Sequence, residues 1–517
     1  MDIRSLATVF GILMAWAAAT RVGAGTTGIK INLRDEKQVI HSFGASDAWT
    51  CQFVGENWPI EKREQIADLL FSNETDARGN PKGIALSMWR FYVGAGSAEQ
   101  GDASRIHTPW HRAECFLNAD GTYDWTKQKG QQYFLEAARE RGVPFLLAFS
   151  CSPPVHYTIN GIAHSSDRRW TLNIRDGSVP AFADFLVAIA EHFHERGLNF
   201  DFISPVNEPQ YIWDSNKQEG TPAENAEIYE LTRLIAKRLH DKGLPSEVVI
   251  PEAARIDYLC WKKGNPREAQ ADAFWNHASS YYLGNLPAVT HAASAHSYFT
   301  TWPISKQVET RRQLREEMQR IDPGLEYWQT EFCILEANDE ITHGHGRDLG
   351  MDTALYVARV IHNDLTVANA THWSWWLAVS QADYKDGLIY IEGEKPENDG
   401  RVLPSKLLWA LGNFSRFVRP GMVRLDVSYD VERSPLETTT GLMVSAYLDK
   451  ERGRLAIVAI NTATTAQAIR IKGLKVRGDC FDTYTTSKTR SLKKAATPAN
   501  RINIAPRAIV TLVGAVE

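Results

Sequence analysis

Glu208 follows the apolar run Phe202–Val206 in the stretch DFISPVNEPQYIWDSNKQEG, and Glu331 closes a second run, EYWQTEF. A third carboxylate, Glu252, is the second-last residue of SEVVIPEA. Two carboxyl groups facing each other across a sugar ring can split a glycosidic bond. One keeps its proton and gives it to the leaving oxygen; the other stays ionised and attacks or assists at the anomeric carbon. Their mutual repulsion helps separate their proton affinities. Tyr211 and Trp213 follow Glu208 closely and offer an apolar wall, which favours the protonated form. Neither Glu208 nor Glu331 has a His or Asp at ligand spacing, so no metal is expected there, and the proposed chemistry calls for no organic cofactor.

Such carboxylates need a scaffold that brings distant strand ends together. From about residue 40 to 415 short apolar runs alternate with amphipathic stretches such as QQYFLEAARERG and AENAEIYELTRLIAKRLHDKG. Eight runs have strand character, from QVIHSFGAS to THWSWWLA. This alternation predicts an α/β fold, a (β/α)8 TIM barrel with long loops, whose function sits at the C-terminal strand ends. The 123 residues from Glu208 to Glu331 correspond to three βα units, which puts the two side chains on opposite sides of one mouth. A doubly wound open sheet is the alternative, but it usually brings a Gly-rich phosphate turn, and none is present. After about residue 420, TGLMVSAYLDK, GRLAIVAINTATTAQAIRIKG and INIAPRAIVTLVG read as strands with no helix between them. The expected division is therefore a barrel over 41–418 and a small β-sandwich over 419–517. The strand of residues 25–40 is expected to pair with that sandwich.

Other residues fit the mouth of such a barrel. Arg90 ends the second strand, where a cation can hold a carboxylate ionised. Tyr298, ending the sixth, can donate to Glu331. His296 lies two residues earlier; a core histidine is its ordinary reading. Asp47 and Trp49 follow the first strand, and Trp373, Trp375 and Trp376 lie on the eighth; all are candidates for sugar contacts. Strand alternation sends Trp373 and Trp375 to one face and Trp376 to the other.

SPVNEPQ together with QTEF resembles the retaining glycoside hydrolases, and family 30 most closely. HSFGASDAW, LSMWRFYVGAGS and FSCSPP resemble the same family in the same order. The resemblance implies that Glu208 is the acid/base, that Glu331 is the nucleophile, and that Asn207 touches the sugar hydroxyl beside the reacting carbon. GASDAWTCQFVGENWP, AECFLNADGTYDW and NEPQYIWD are most similar to the endo-β-1,6-galactanase-type branch, from which the chain departs at Tyr211 and Tyr92. The implied partner is a poly- or oligosaccharide, β-1,6-galactan in the first place. A β-1,6-glucanase, an exo-acting β-glycosidase, and a non-catalytic carbohydrate-binding protein on the same scaffold are the alternatives.

The chain has 517 residues, 44% hydrophobic and 23% charged, with a formal net charge of −5. That balance carries no basic footprint for nucleic acid. Residues 1–24, with Arg4 before an apolar stretch and small residues after it, read as a secretory signal peptide. Secretion is expected, or a periplasmic location in a Gram-negative source, with no membrane insertion. The six cysteines are scattered, without zinc spacing.

Overall fold

The computed structural model describes residues 26–165 and 169–516; the expected signal segment lies outside them. The first strand, β1 (Thr27–Val39), belongs to the side domain. The next eight are β2 (Ser42–Ser46), β3 (Met88–Val93), β4 (Phe145–Ser150), β5 (Phe202–Ser204), β6 (Glu247–Ala253), β7 (Val289–His296), β8 (Glu326–Glu331) and β9 (His372–Ser380). Each pairs in parallel with the next, and β9 also pairs with β2, which closes an eight-stranded barrel. Every residue of β3 and β9 is buried. One face of each strand fills the barrel interior and the other lies under helices, hence the nearly continuous apolar runs in the sequence. Three covering helices, Lys129–Glu140, Val179–Glu195 and Asn225–Lys242, are followed by Gly142, Gly197 and Gly243 with φ of 77°, 74° and 65°. This left-handed turn ends a helix at little cost only with glycine. Two further strands, β10 (Gly387–Glu392) and β11 (Arg401–Pro404), extend the sheet outward from β9.

The side domain holds β12 (Val423–Tyr429), β13 (Leu442–Asp449), β14 (Arg454–Asn461), β15 (Gln467–Lys472), β16 (Cys480–Ser487), β17 (Arg490–Pro498), β18 (Ile502–Ile504) and β19 (Ala508–Ala515). As expected, β1 joins it, antiparallel to β12 and parallel to β15. Hydrogen bonding links all nine strands into one continuous sheet rather than two separate ones. The sheet still forms a layered core, because Ile469 and Ile504 from one end share a buried cluster with Ile457 and Leu512 from the other. Its opposite face packs on the helix Lys406–Ser415, where Asn413 donates to the Tyr484 carbonyl and Thr511 Oγ1. All six cysteines are free thiols. No helix among the described residues is long and apolar enough to cross a membrane.

Candidate active site

Glu331 is the last residue of β8 and Glu252 lies near the end of β6. Glu208 stands four residues beyond β5, where its backbone N–H bonds the Glu252 carbonyl (2.9 Å). Glu208 and Glu252 have φ of 48° and 52°, a region that costs a non-glycine residue ~1–3 kcal/mol and that clusters at functional sites. The strand ends therefore carry strain in aiming these side chains.

His296, at the end of β7, binds the three carboxylates together. Its Nδ1 lies 3.0 Å from Glu208 Oε1 and 3.6 Å from Glu331 Oε1, and its Nε2 3.0 Å from Glu252 Oε2. Arg90 Nη1 donates to Glu331 Oε2 (3.3 Å), with Nη2 3.5 Å from Glu252 Oε2. Tyr298 donates to Glu331 Oε1 (2.9 Å) and Thr330 to Glu252 Oε2 (2.8 Å). One oxygen each of Glu208 and Glu331 and one nitrogen of His296 lie within 4.8 Å of one another.

Burial works against a charge on His296, yet Glu331, Glu208 and Glu252 around it lift its pKa to about 10. Burial also opposes ionisation of Glu252, but His296, Arg90 and Thr330 outweigh it and hold that carboxyl below its ordinary range. Burial pushes the Glu331 carboxyl above its ordinary range; His296 and Arg90 pull against this, and Glu208 adds to it. Three carboxylates thus face two cations. One further proton on a carboxyl makes the cluster neutral. A pair holding one proton between them can act as acid and nucleophile together.

A cavity of about 690 Å3 opens above the cluster, lined by Asn207, Glu208, Tyr298 and Glu331 with the rings of Trp49, Tyr211, Trp213 and Trp376. Asn207 is buried and its Oδ1 has no partner among the described residues. Trp213 is pinned by its Nε1 donating to the Glu208 carbonyl (3.1 Å). Its ring lies so close to Gly220 that a Cβ there would come within 2.2 Å of it. Tyr211 meets Trp213 edge-on and is 47% exposed at the rim.

Three expected sugar contacts lie elsewhere. Asp47 is turned into the protein, its Oδ1 accepting from the Tyr92 N–H (2.8 Å) and Gln131 Nε2 (2.9 Å). Burial raises its carboxyl to about 8. Trp373 and Trp375 are buried outside the cavity, donating to Asp364 Oδ2 and to the Asp386 carbonyl. Trp376, on the opposite face of the strand, lines the mouth instead, at a point where the β2–β9 register slips between Trp375 and Leu377. Alternation correctly separated Trp376 from the other two but did not show which side faced the cavity. Tyr258, Phe299, Tyr384 and Asp386 also line it and were not anticipated. All four follow strand ends, where loops have no periodicity to read; for Phe299 the adjacent Tyr298 was the one available signal.

The fold has counterparts among solved structures. A solved structure of a conserved exported protein from Bacteroides fragilis is 36% identical, with a TM-score of 0.89 over 94% of this chain and 99% of that one. An endo-beta1,6-glucanase structure superposes with a TM-score of 0.64 at 15% identity, over 96% of this chain and 95% of that one. The glucuronoxylanase XynC of Bacillus subtilis is 23% identical over 461 residues, 89% of this chain and 83% of its own. The family model for O-glycosyl hydrolase family 30 matches residues 26–390, and the chain belongs to that family.

Proposed function

We propose that the protein is an exported retaining β-glycoside hydrolase that cuts β-1,6-linked galactan, with Glu331 as nucleophile and Glu208 as acid/base. The observation that carries the chemistry is the approach of Glu208 and Glu331 oxygens to within 4.8 Å. Retaining sites hold their carboxyl groups ~5–5.5 Å apart, whereas inverting sites leave ~6.5–9.5 Å for a water. In the first step Glu331 attacks the anomeric carbon while Glu208 protonates the departing oxygen, giving a glycosyl-enzyme. In the second, Glu208 takes a proton from water, which displaces Glu331 and returns the β configuration. Arg90 and Tyr298 stabilise the Glu331 carboxylate each time it is released, and the unpartnered Asn207 oxygen offers an acceptor to a sugar hydroxyl.

The galactan assignment rests on the stretches around Asp47, Cys115 and Glu208. β-1,6-Glucan is the second reading, supported by the structural likeness to an endo-beta1,6-glucanase. Export is supported by the apolar N-terminal stretch and by the likeness to an exported protein. Incubation with arabinogalactan, β-1,6-glucan and glucuronoxylan, followed by product identification, tests the substrate. Proton NMR of the first-formed reducing end tests the mechanism: the β-anomer should appear before mutarotation, and an initial α-anomer refutes the role of Glu331.

Tyr298→Phe should lower kcat/KM about 10- to 100-fold, since a hydrogen bond to a charged group contributes ~1.5–3 kcal/mol. The loss should fall on kcat, with the melting temperature little changed. An unaltered kcat would show that the Tyr298–Glu331 contact is only structural.

A further inference from the structure

Trp49 has backbone angles of φ 64° and ψ −81°, the strained centre of a γ-turn closed by Thr50 N–H to the Ala48 carbonyl (3.0 Å). Its ring stacks on His111 (3.8 Å, 22°) and meets Trp376 edge-on (5.3 Å). This strained placement makes Trp49 a wall with a cavity on either side. One is the catalytic cavity, which His111 also lines. The other, of about 290 Å3, is lined by Trp49, Gln52, Phe53, Glu56, Arg112 and Glu114, among others. Arg112 follows His111 directly, so one short turn contributes to both sides of the wall.

The second cavity combines aromatic faces with amide and carboxylate groups, as the catalytic one does. Rings stack on the apolar faces of sugars, and the amides and carboxylates can bond their hydroxyls. Its base is rigid. Gly55 and Gly130 let the helices Thr50–Asn57 and Lys129–Glu140 touch backbone to backbone, and a Cβ on Gly130 would come within 1.8 Å of the Gln52 carbonyl. Gln52 Oε1 further accepts the Gly130 N–H (3.0 Å).

We propose that this second cavity is a sugar-binding subsite that takes a further unit of the same glycan chain beyond the Trp49–His111 wall. The enzyme then acts on chain segments rather than on a terminal sugar alone. The proposal rests on the glycosidase reading, and names where the rest of that substrate lies.

The test compares wild type with Phe53→Ala and Glu56→Gln on an aryl β-galactoside and on β-1,6-galacto-oligosaccharides of increasing length, with the β-1,6-gluco series in parallel. Wild-type kcat/KM should rise with length. Phe53→Ala should cut the ratio of longest oligosaccharide to aryl glycoside by about ten-fold, through KM, as loss of one aromatic contact predicts. Calorimetric binding of the same oligosaccharides to Glu331→Gln reads the subsite without turnover, so failure of the catalytic roles is told apart from failure of the subsite. Kd should fall with length there, and the double variant with Phe53→Ala should lose that trend. A flat length dependence, an equal loss on aryl and oligomeric substrates, or no oligosaccharide binding overturns the proposal.

Discussion

Glu331→Gln should leave no measurable turnover on polymer or aryl glycoside, because without a carboxylate at that position no covalent intermediate forms. Glu208→Gln should fail differently. On polymer, whose leaving alkoxide needs a proton, the rate should fall ~10²–10⁴-fold, the usual contribution of a positioned general acid. On an aryl glycoside with a good leaving group, the first step should survive and the second should stall, since no base remains to activate water. A burst of released phenol followed by slow turnover is the expected trace, and azide, which needs no base, should restore the rate. Near wild-type rates of either variant on the natural polymer would remove both assignments.

His296→Gln should be the most destabilising of the site substitutions and should also abolish most activity. It removes a buried cation that touches Glu208, Glu252 and Glu331. Breaking a buried pair by taking away one partner typically costs ~3–5 kcal/mol. The pH dependence gives a sharper test. Folding raises the His296 pKa from an unfolded ~6.5 to about 10, so the folded state binds a proton that the unfolded state releases between those values. The stabilisation is complete below pH ~6.5 and fades as the pH rises to about 10. Denaturant unfolding at intervals from pH 6 to 10 should show wild type losing stability that His296→Gln never had, with the two curves converging. Parallel curves would mean that His296 is neutral in the folded protein.

The barrel was legible because each of its strands is buried on both faces and reads as an apolar run between amphipathic helices. Glu208 and Glu331 were legible for the same reason: a carboxylate that ends such a run is placed at the mouth by topology alone. His296 was not. It sits on β7 like an ordinary core histidine, and what distinguishes it is three carboxylates from β6, β8 and the loop after β5, contacts that no local pattern records. Asp47 misled because a polar residue after a strand looks the same whether it faces substrate or, as here, Tyr92 and Gln131. Alternation set Trp376 apart from Trp373 and Trp375 but could not say which face of the strand meets the cavity.

The place of β1 in the side sheet bears on how the chain is made. β1 lies between β12 and β15, so Val39 finds its partner only at Val423. At a synthesis rate of ~5–20 residues per second, that separation keeps β1 waiting for roughly 20–80 s after it is formed. The barrel, complete at β9 with its interior filled, has time to fold first. β1 is meanwhile an unpaired edge carrying Ile29 and Ile31, a template for wrong pairing, until the C-terminal strands arrive. β1 thus ties the start of the described chain to strands made about 400 residues later.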